Sequence, residues 1–295
     1  MLKRGWYGYL WAALFLSLSL PSLSAVDKEP KKADAKELLE KAIALAKIGK
    51  IEQALQAASK AIEADPKNVE AYLLRGSIYS RTMNYEKAIA DLNHVLSVDP
   101  ELAEVYDRRG DWHLQSGAFK AAIADFDAFL KRRPERTPHH WRRGIAYYYT
   151  GEYVQGQKQF EGYQKVDSSD VENAVWRYLC MARGSGVKKA RADLLKIGND
   201  PRVPMKQIYE LFRGESKASE VLEAARAGDP PAEKLQRNLF YAHLYLGLYY
   251  ETEGDEDLAR KHITTAAEEY KIGDYMWYVA KVHAQLFRKG RKAVK

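Results

Sequence analysis

Small and bulky apolar residues recur along this chain at helical spacing and, above it, on a longer beat. Small side chains stand 34 residues apart at Ala42, Gly76, Gly110 and Gly144, and again at Ala54, Ala88, Ala122 and Gly156. Bulky ones keep that interval at Ile51, Tyr85, Phe119 and Tyr153 and at Leu45, Tyr79, His113 and Tyr147, with a further column at Ala58, Leu92, Phe126 and Phe160. Pro66, Pro100 and Pro134 mark it too. Self-similarity at such a period is the mark of one supersecondary unit repeated. The spacing predicts two antiparallel helices per unit, the small columns letting them approach closely. Gly49, Gly117 and Gly151 suit the left-handed turn that closes the first helix. Asp65-Pro66 and Asp99-Pro100 stop the second, because a residue before proline is biased out of helical geometry. No such unit buries its apolar face alone, so the array folds by stacking.

The column order resembles the tetratricopeptide repeat (TPR) over residues 35 to about 168. The resemblance implies an all-α fold, a right-handed superhelical solenoid of antiparallel helix pairs, with four regular units in 35–168. Beyond this the pattern weakens, yet Gly144 to Gly247 and Gly156 to Ala259 both span 103 residues, three periods plus one. Two degenerate units therefore fit in 169–238. The first runs from Val171 to about Asp200 through Trp176, Cys180, Ala190 and Leu194. The second runs from about Pro204 to Asp229 through Met205, Ile208, Leu211, Phe212, Val221, Leu222 and Ala225. After Pro230-Pro231, a final unit in 239–295 carries Tyr250, Gly254, Ala259, Ile263 and Ala266, and Asp274 to Arg288 is expected to cap its last apolar face.

In the solenoids this chain resembles, the first helices line a concave face. Matched to that pattern, the partner-binding groove comprises Leu73, Ser77 and Arg81 in unit two, Glu104, Asp107 and Asp111 in unit three, and Trp141, Ile145, Tyr148 and Tyr149 in unit four. Carboxylates beside aromatics suit a peptide or helix with apolar anchors and a basic flank. The alternative is that Trp141 and Tyr148 pack on the next helix. One TPR subfamily clamps the acidic tails of heat-shock chaperones with cations and amides at these positions. Asp107 and Asp111 stand there instead, so that clamp is not expected.

At 295 residues, 46% hydrophobic and 29% charged, the composition is that of a globular chain. Tyr 20 against Phe 8 says that many aromatic positions need a polar tip. The net charge of +7 is too mild to imply nucleic acid. Residues 1–25 read as a secretory signal, with Lys3 and Arg4, an apolar run Leu10 to Leu20, and Ser22, Ser24 and Ala25 at the cleavage site. Cutting after Ser24 or Ala25 fits equally. The aromatics Trp6, Tyr7, Tyr9 and Trp11 keep an uncleaved signal anchor as the other reading. Residues 26–34 form a charged linker, and the expected location is periplasmic or secreted. Cys180, the single thiol, cannot form an internal disulfide, and its neighbours Leu179, Met181 and Ala182 favour a core position.

No catalytic motif emerges. His139 and His140 diverge by about 100° on a helix, poor geometry for one ion, and Gly184-Ser185-Gly186 lacks the strand of a nucleophile elbow. The sequence thus predicts a non-enzymatic exported adaptor or scaffold, without cofactor or metal, that binds a protein or peptide in its groove. The alternative is a self-associating assembly protein of the cell envelope, its homodimer interface formed by the second half and the Cys180 region. The basic tail Arg288, Lys289, Arg291, Lys292 and Lys295 suits weak contact with an anionic envelope surface.

Overall fold

A computed structural model describes residues 32–290; the leader, the linker as far as residue 31 and the last five residues of the tail lie outside the described residues. Every regular element among the described residues is a helix, with no strand. Helices α1 (Lys32–Lys47) and α2 (Ile51–Ala64), α3 (Val69–Arg81) and α4 (Tyr85–Val98), α5 (Ala103–Ser116) and α6 (Phe119–Arg132), and α7 (Trp141–Thr150) and α8 (Tyr153–Tyr163) form four antiparallel pairs stacked in order. Small columns set the pairing distance. A Cβ added at Gly110 would lie 2.7 Å from the Phe126 ring, and one at Gly144 would lie 2.6 Å from that of Phe160. Side chains cannot fit there, so the second helix closes onto bare backbone.

A polar column with the same period joins the units. Arg75 on α3 donates through Nε and NH2 to Asp91 on α4 at 3.0 and 2.7 Å, and through NH1 to Ser59 on α2 at 3.1 Å. Arg109 repeats this on Asp125 at 2.8 and 2.6 Å and on Asn93 at 2.8 Å. Arg143 reaches Gln159 and Asp127. Each guanidinium thus spans the second helix of its own unit and that of the unit before. Asp91 and Asp125 are buried, so losing an arginine would leave an uncompensated carboxylate.

Beyond α8 the helix lengths become irregular. Helix α9 (Val171–Ser185) is followed by three short ones, α10 (Val187–Ala192), α11 (Met205–Arg213) and α12 (Ala218–Arg226). Arg177 on α9 continues the ladder to Glu161 at 2.9 Å, but its second partner is the Asp193 carbonyl. Helix α9 is the centre of the second half, with nine residues from Val171 to Met181 buried. Cys180 is fully covered by the chain itself, and burial pushes its thiol up. The Cys180 side chain therefore lies in the core, as its neighbours led one to expect. Helix α13 (Ala232–Glu253) pairs with α14 (Glu256–Glu269), and a Cβ at Gly247 would meet Ile263 at 2.6 Å, the same close approach as in the regular units.

The last helix, α15 (Tyr275–Arg288), does more than cap α14. One side lies on α14, where Trp277 Nε1 donates to the Ala267 carbonyl at 3.1 Å. The other returns to the turn after α3 and to the first helices of units three and four, α5 and α7. Tyr275 Oη donates to Asp111 at 2.5 Å, and Lys281 Nζ sits 3.1 Å from Met83 Sδ. Tyr278, Val279 and Val282 face Leu114, Gln115 and Tyr149. A capping helix keeps a broad polar face, whereas that of α15 is narrowed to the stripe Lys281, Gln285 and Arg288, with buried residues over the rest of its circumference.

A buried polar cluster holds this closure. Glu251 on α13 pairs with Arg183 of α9 at 2.9 Å and His283 of α15 at 3.5 Å, and accepts from Tyr148 at 3.1 Å. Tyr149 Oη meets His283 Nδ1 at 3.0 Å. Burial alone would raise the Glu251 carboxyl, but His283, Arg183 and the Tyr148 bond outweigh it and hold it below the usual range.

Two outcomes are expected. Gly110→Ala, which would gain about 0.5–1 kcal/mol of helix propensity at an open site, should instead lower the unfolding free energy in urea by about 1–2 kcal/mol through overpacking on Phe126. Glu251 stabilises the fold above its unfolded value, so melting temperature should drop as pH falls through its lower folded value. Glu251→Gln should be less stable at neutral pH and show a weaker acid dependence. An unchanged melting profile in the variant would remove the cluster from the closure.

Candidate functional site

The sequence-predicted groove is mostly filled by the chain. Ile145, Tyr148 and Tyr149 are buried, at 0, 4 and 8% exposure, beneath α9, α13 and α15, and line no open groove. This corrects the expected site, and it corresponds to the alternative that Tyr148 packs on neighbouring helices. The physical reason is α15, which occupies the inner face that a partner helix was expected to take. Asp111 is taken by Tyr275, Gln115 and Arg142, and burial raises its carboxyl. Asp107 accepts from His140 Nε2 at 2.8 Å and from Arg142 at 2.8 and 2.9 Å; these partners outweigh its burial and lower it. His140 is thereby committed to a carboxylate.

Further towards the N-terminus the inner face is less covered. Arg81 and Glu104 are exposed, with Glu104 3.5 Å from Arg133, while Leu73 and Ser77 are half-buried and Ser77 Oγ donates back to the Leu73 carbonyl at 2.6 Å. The structure does not bring these four together with Trp141. Among the described residues, no group of three or more His, Cys, Asp or Glu is placed to hold a metal ion.

Of the predicted aromatic set, Trp141 reaches a large cavity among the described residues. It encloses about 580 Å³, within the range of ligand pockets. The starts of α7, α9, α13 and α15 meet there, with residues 201–203 and the end of α8 closing it. Trp141, Trp176, Phe160, Tyr163, Tyr241 and Tyr275 line it, and Trp141 meets Tyr275 edge to face at 5.0 Å.

The polar side of the cavity centres on Arg202. Its guanidinium donates to Asp170, Glu172 and Asp200, each at 2.6 Å. Asp170 is also the N-cap of α9, accepting from the Glu172 amide at 3.1 Å. Tyr245 Oη donates to Glu172 at 2.5 Å. Burial pushes Glu172 up to about 7 and raises Asp170, whereas Asp200 is held low because the Arg202 bonds exceed its own burial. On the other side Arg237 pairs with Asp274, which also accepts from Tyr241 at 3.0 Å. Two wall residues keep a buried polar atom that meets no protein group, Asn173 Oδ1 and Trp176 Nε1.

Sequence reasoning did not single out Asp170, Glu172, Arg202 or Tyr241. They lie 2 to 71 residues apart and share no period, so only the fold assembles them. The arginine ladder was also missed, although Arg75, Arg109, Arg143 and Arg177 stand at the 34-residue interval in plain view.

Comparison with known proteins agrees with this architecture. Residues 39–100 and 108–170 match the family model of the tetratricopeptide repeat. A tetratricopeptide repeat protein of Parabacteroides merdae superposes with a TM-score of 0.56 at 16% identity, covering 87% of this chain and 99% of that one. YrrB, described as a TPR protein with an unusual peptide-binding site, superposes with a TM-score of 0.50 at 18% identity, covering 62% of this chain and 89% of its own. Comparison with curated proteins returns no match. Residues 39–100 and 108–170 are thus tetratricopeptide repeats, and the helix pairs stacked upon them continue the same fold.

Proposed function

We propose that this chain is an exported, non-catalytic adaptor that binds a protein or peptide partner, and that its anchor point is the aromatic cavity between α7, α9, α13 and α15. The observation that carries this reading is the cavity itself, whose walls hold large aromatic faces already rigid in the folded chain. Aromatic anchors in preformed pockets supply much of the affinity of protein interfaces at small ordering cost. YrrB, similar in fold, offers a precedent for peptide binding on this scaffold. Export rests on the leader sequence at residues 1–25. No described helix is long and apolar enough to cross a membrane.

Trp141→Ala is expected to weaken partner binding by about 2 kcal/mol with helicity unchanged by circular dichroism. The check is mass-spectrometric comparison of envelope proteins retained by the immobilised chain and by the variant, followed by titration of whatever differs. Retention of the same set by both, at equal affinity, would move the anchor elsewhere. For the leader, N-terminal sequencing of the chain expressed in a bacterial host should begin at Ala25 or Val26; a protein still starting at Met1 in the membrane fraction would establish the uncleaved anchor.

A further inference from the structure

The charge around Arg202 is not balanced. Three carboxylates, Asp170, Glu172 and Asp200, converge on one guanidinium at 2.6 Å each. Both hydrogen bonds to Asp170 fall on Oδ1. Of the other cations on the wall, Arg237 is already bound to Asp274, and Lys234 is exposed at the rim. A carboxylate held in a partly dehydrated site without a full counter-charge is costly, and an entering cation relieves that cost. The raised Glu172 and Asp170 carboxyls agree, since both positions favour added positive charge.

The aromatic walls point the same way. Trp141, Trp176, Tyr163 and Tyr241 border the cavity, and ring faces attract a desolvated ammonium or guanidinium. Asn173 and Trp176, which also line the cavity, are 3% and 2% exposed, so the surrounding core holds this part of the wall in place.

We infer that the cavity binds a basic side chain, lysine or arginine, presented by a peptide segment of the partner, with the cation seated between the aromatic walls and Asp170. This rests on the adaptor reading above and specifies its anchor. The side chain's aliphatic stem lies along Trp141 and Tyr163 while its charged head completes the Arg202 cluster.

The test is calorimetric titration of the full chain with three N-acetylated, C-amidated tripeptides, leucine-lysine-leucine, leucine-norleucine-leucine and leucine-glutamate-leucine. The lysine peptide is expected to bind at least tenfold more tightly than the other two, and its affinity alone should fall as salt is raised. Asp170→Asn keeps a good helix cap, so melting should be unchanged while the lysine preference drops toward parity. Glu172→Gln, nearly isosteric, is a second variant with the same expectation. Equal binding of the norleucine peptide would overturn the basic-anchor inference and leave the adaptor reading standing, as would a lysine preference that survives both substitutions. Preference for the glutamate peptide would overturn it in favour of Arg237 and Lys234 as the recognising groups. No binding of any peptide at millimolar concentration would overturn both the inference and the cavity as anchor.

Discussion

Each first helix of units two to four carries a guanidinium that must satisfy partners on two second helices at once, and this requirement governs the rest of the molecule. Apolar packing between units is tolerant of sliding; a fork of five fixed donors is not. Arg75, Arg109 and Arg143 therefore fix the step from unit to unit, with buried Asp91 and Asp125 penalising any drift. The inner face that results brings residues of α5, α7 and α9 into one concavity, which α15 then enters. At Arg177 the second partner becomes a backbone carbonyl, and the regular array ends there.

Much of the fold was legible because its constraints are local and periodic. The small columns at Gly110, Gly144 and Gly247 could be counted along the chain, and each marks a real close approach of two helices. The groove was legible only as a set of positions. Unit positions say which side chains point inward; they do not say what fills the space, and Ile145, Tyr148 and Tyr149 point inward into a core. The signal that would have warned of this lay in α15, where Met276, Trp277, Val279, Ala280 and Val282 leave only a narrow polar stripe, Lys281, Gln285 and Arg288, for solvent. Polar columns were also passed over, which is why the arginines went unread despite sharing the period.

The cavity belongs to a different class of feature, with no local signature at all. Its polar floor joins the cap of α9 to a loop arginine, and its walls come from helices separated by more than a hundred residues. Asp170 serves both fold and site: one oxygen ends a helix and binds Arg202, so the carboxylate is held rigidly where it faces the cavity. A group fixed by the backbone costs nothing further to orient when a ligand arrives.

The closure by α15 changes what kind of mechanical object this repeat protein is. An open solenoid touches only its neighbours and unravels one repeat after another, like a spring. Here α1 and α2 keep that freedom, whereas contacts from Lys281 to Met83 and from Tyr275 to Asp111 bind the chain's end to its middle. Pulled from its two termini, the chain would surrender its first pair singly and then resist as one body, from α3 to α15, until the clasp gives way.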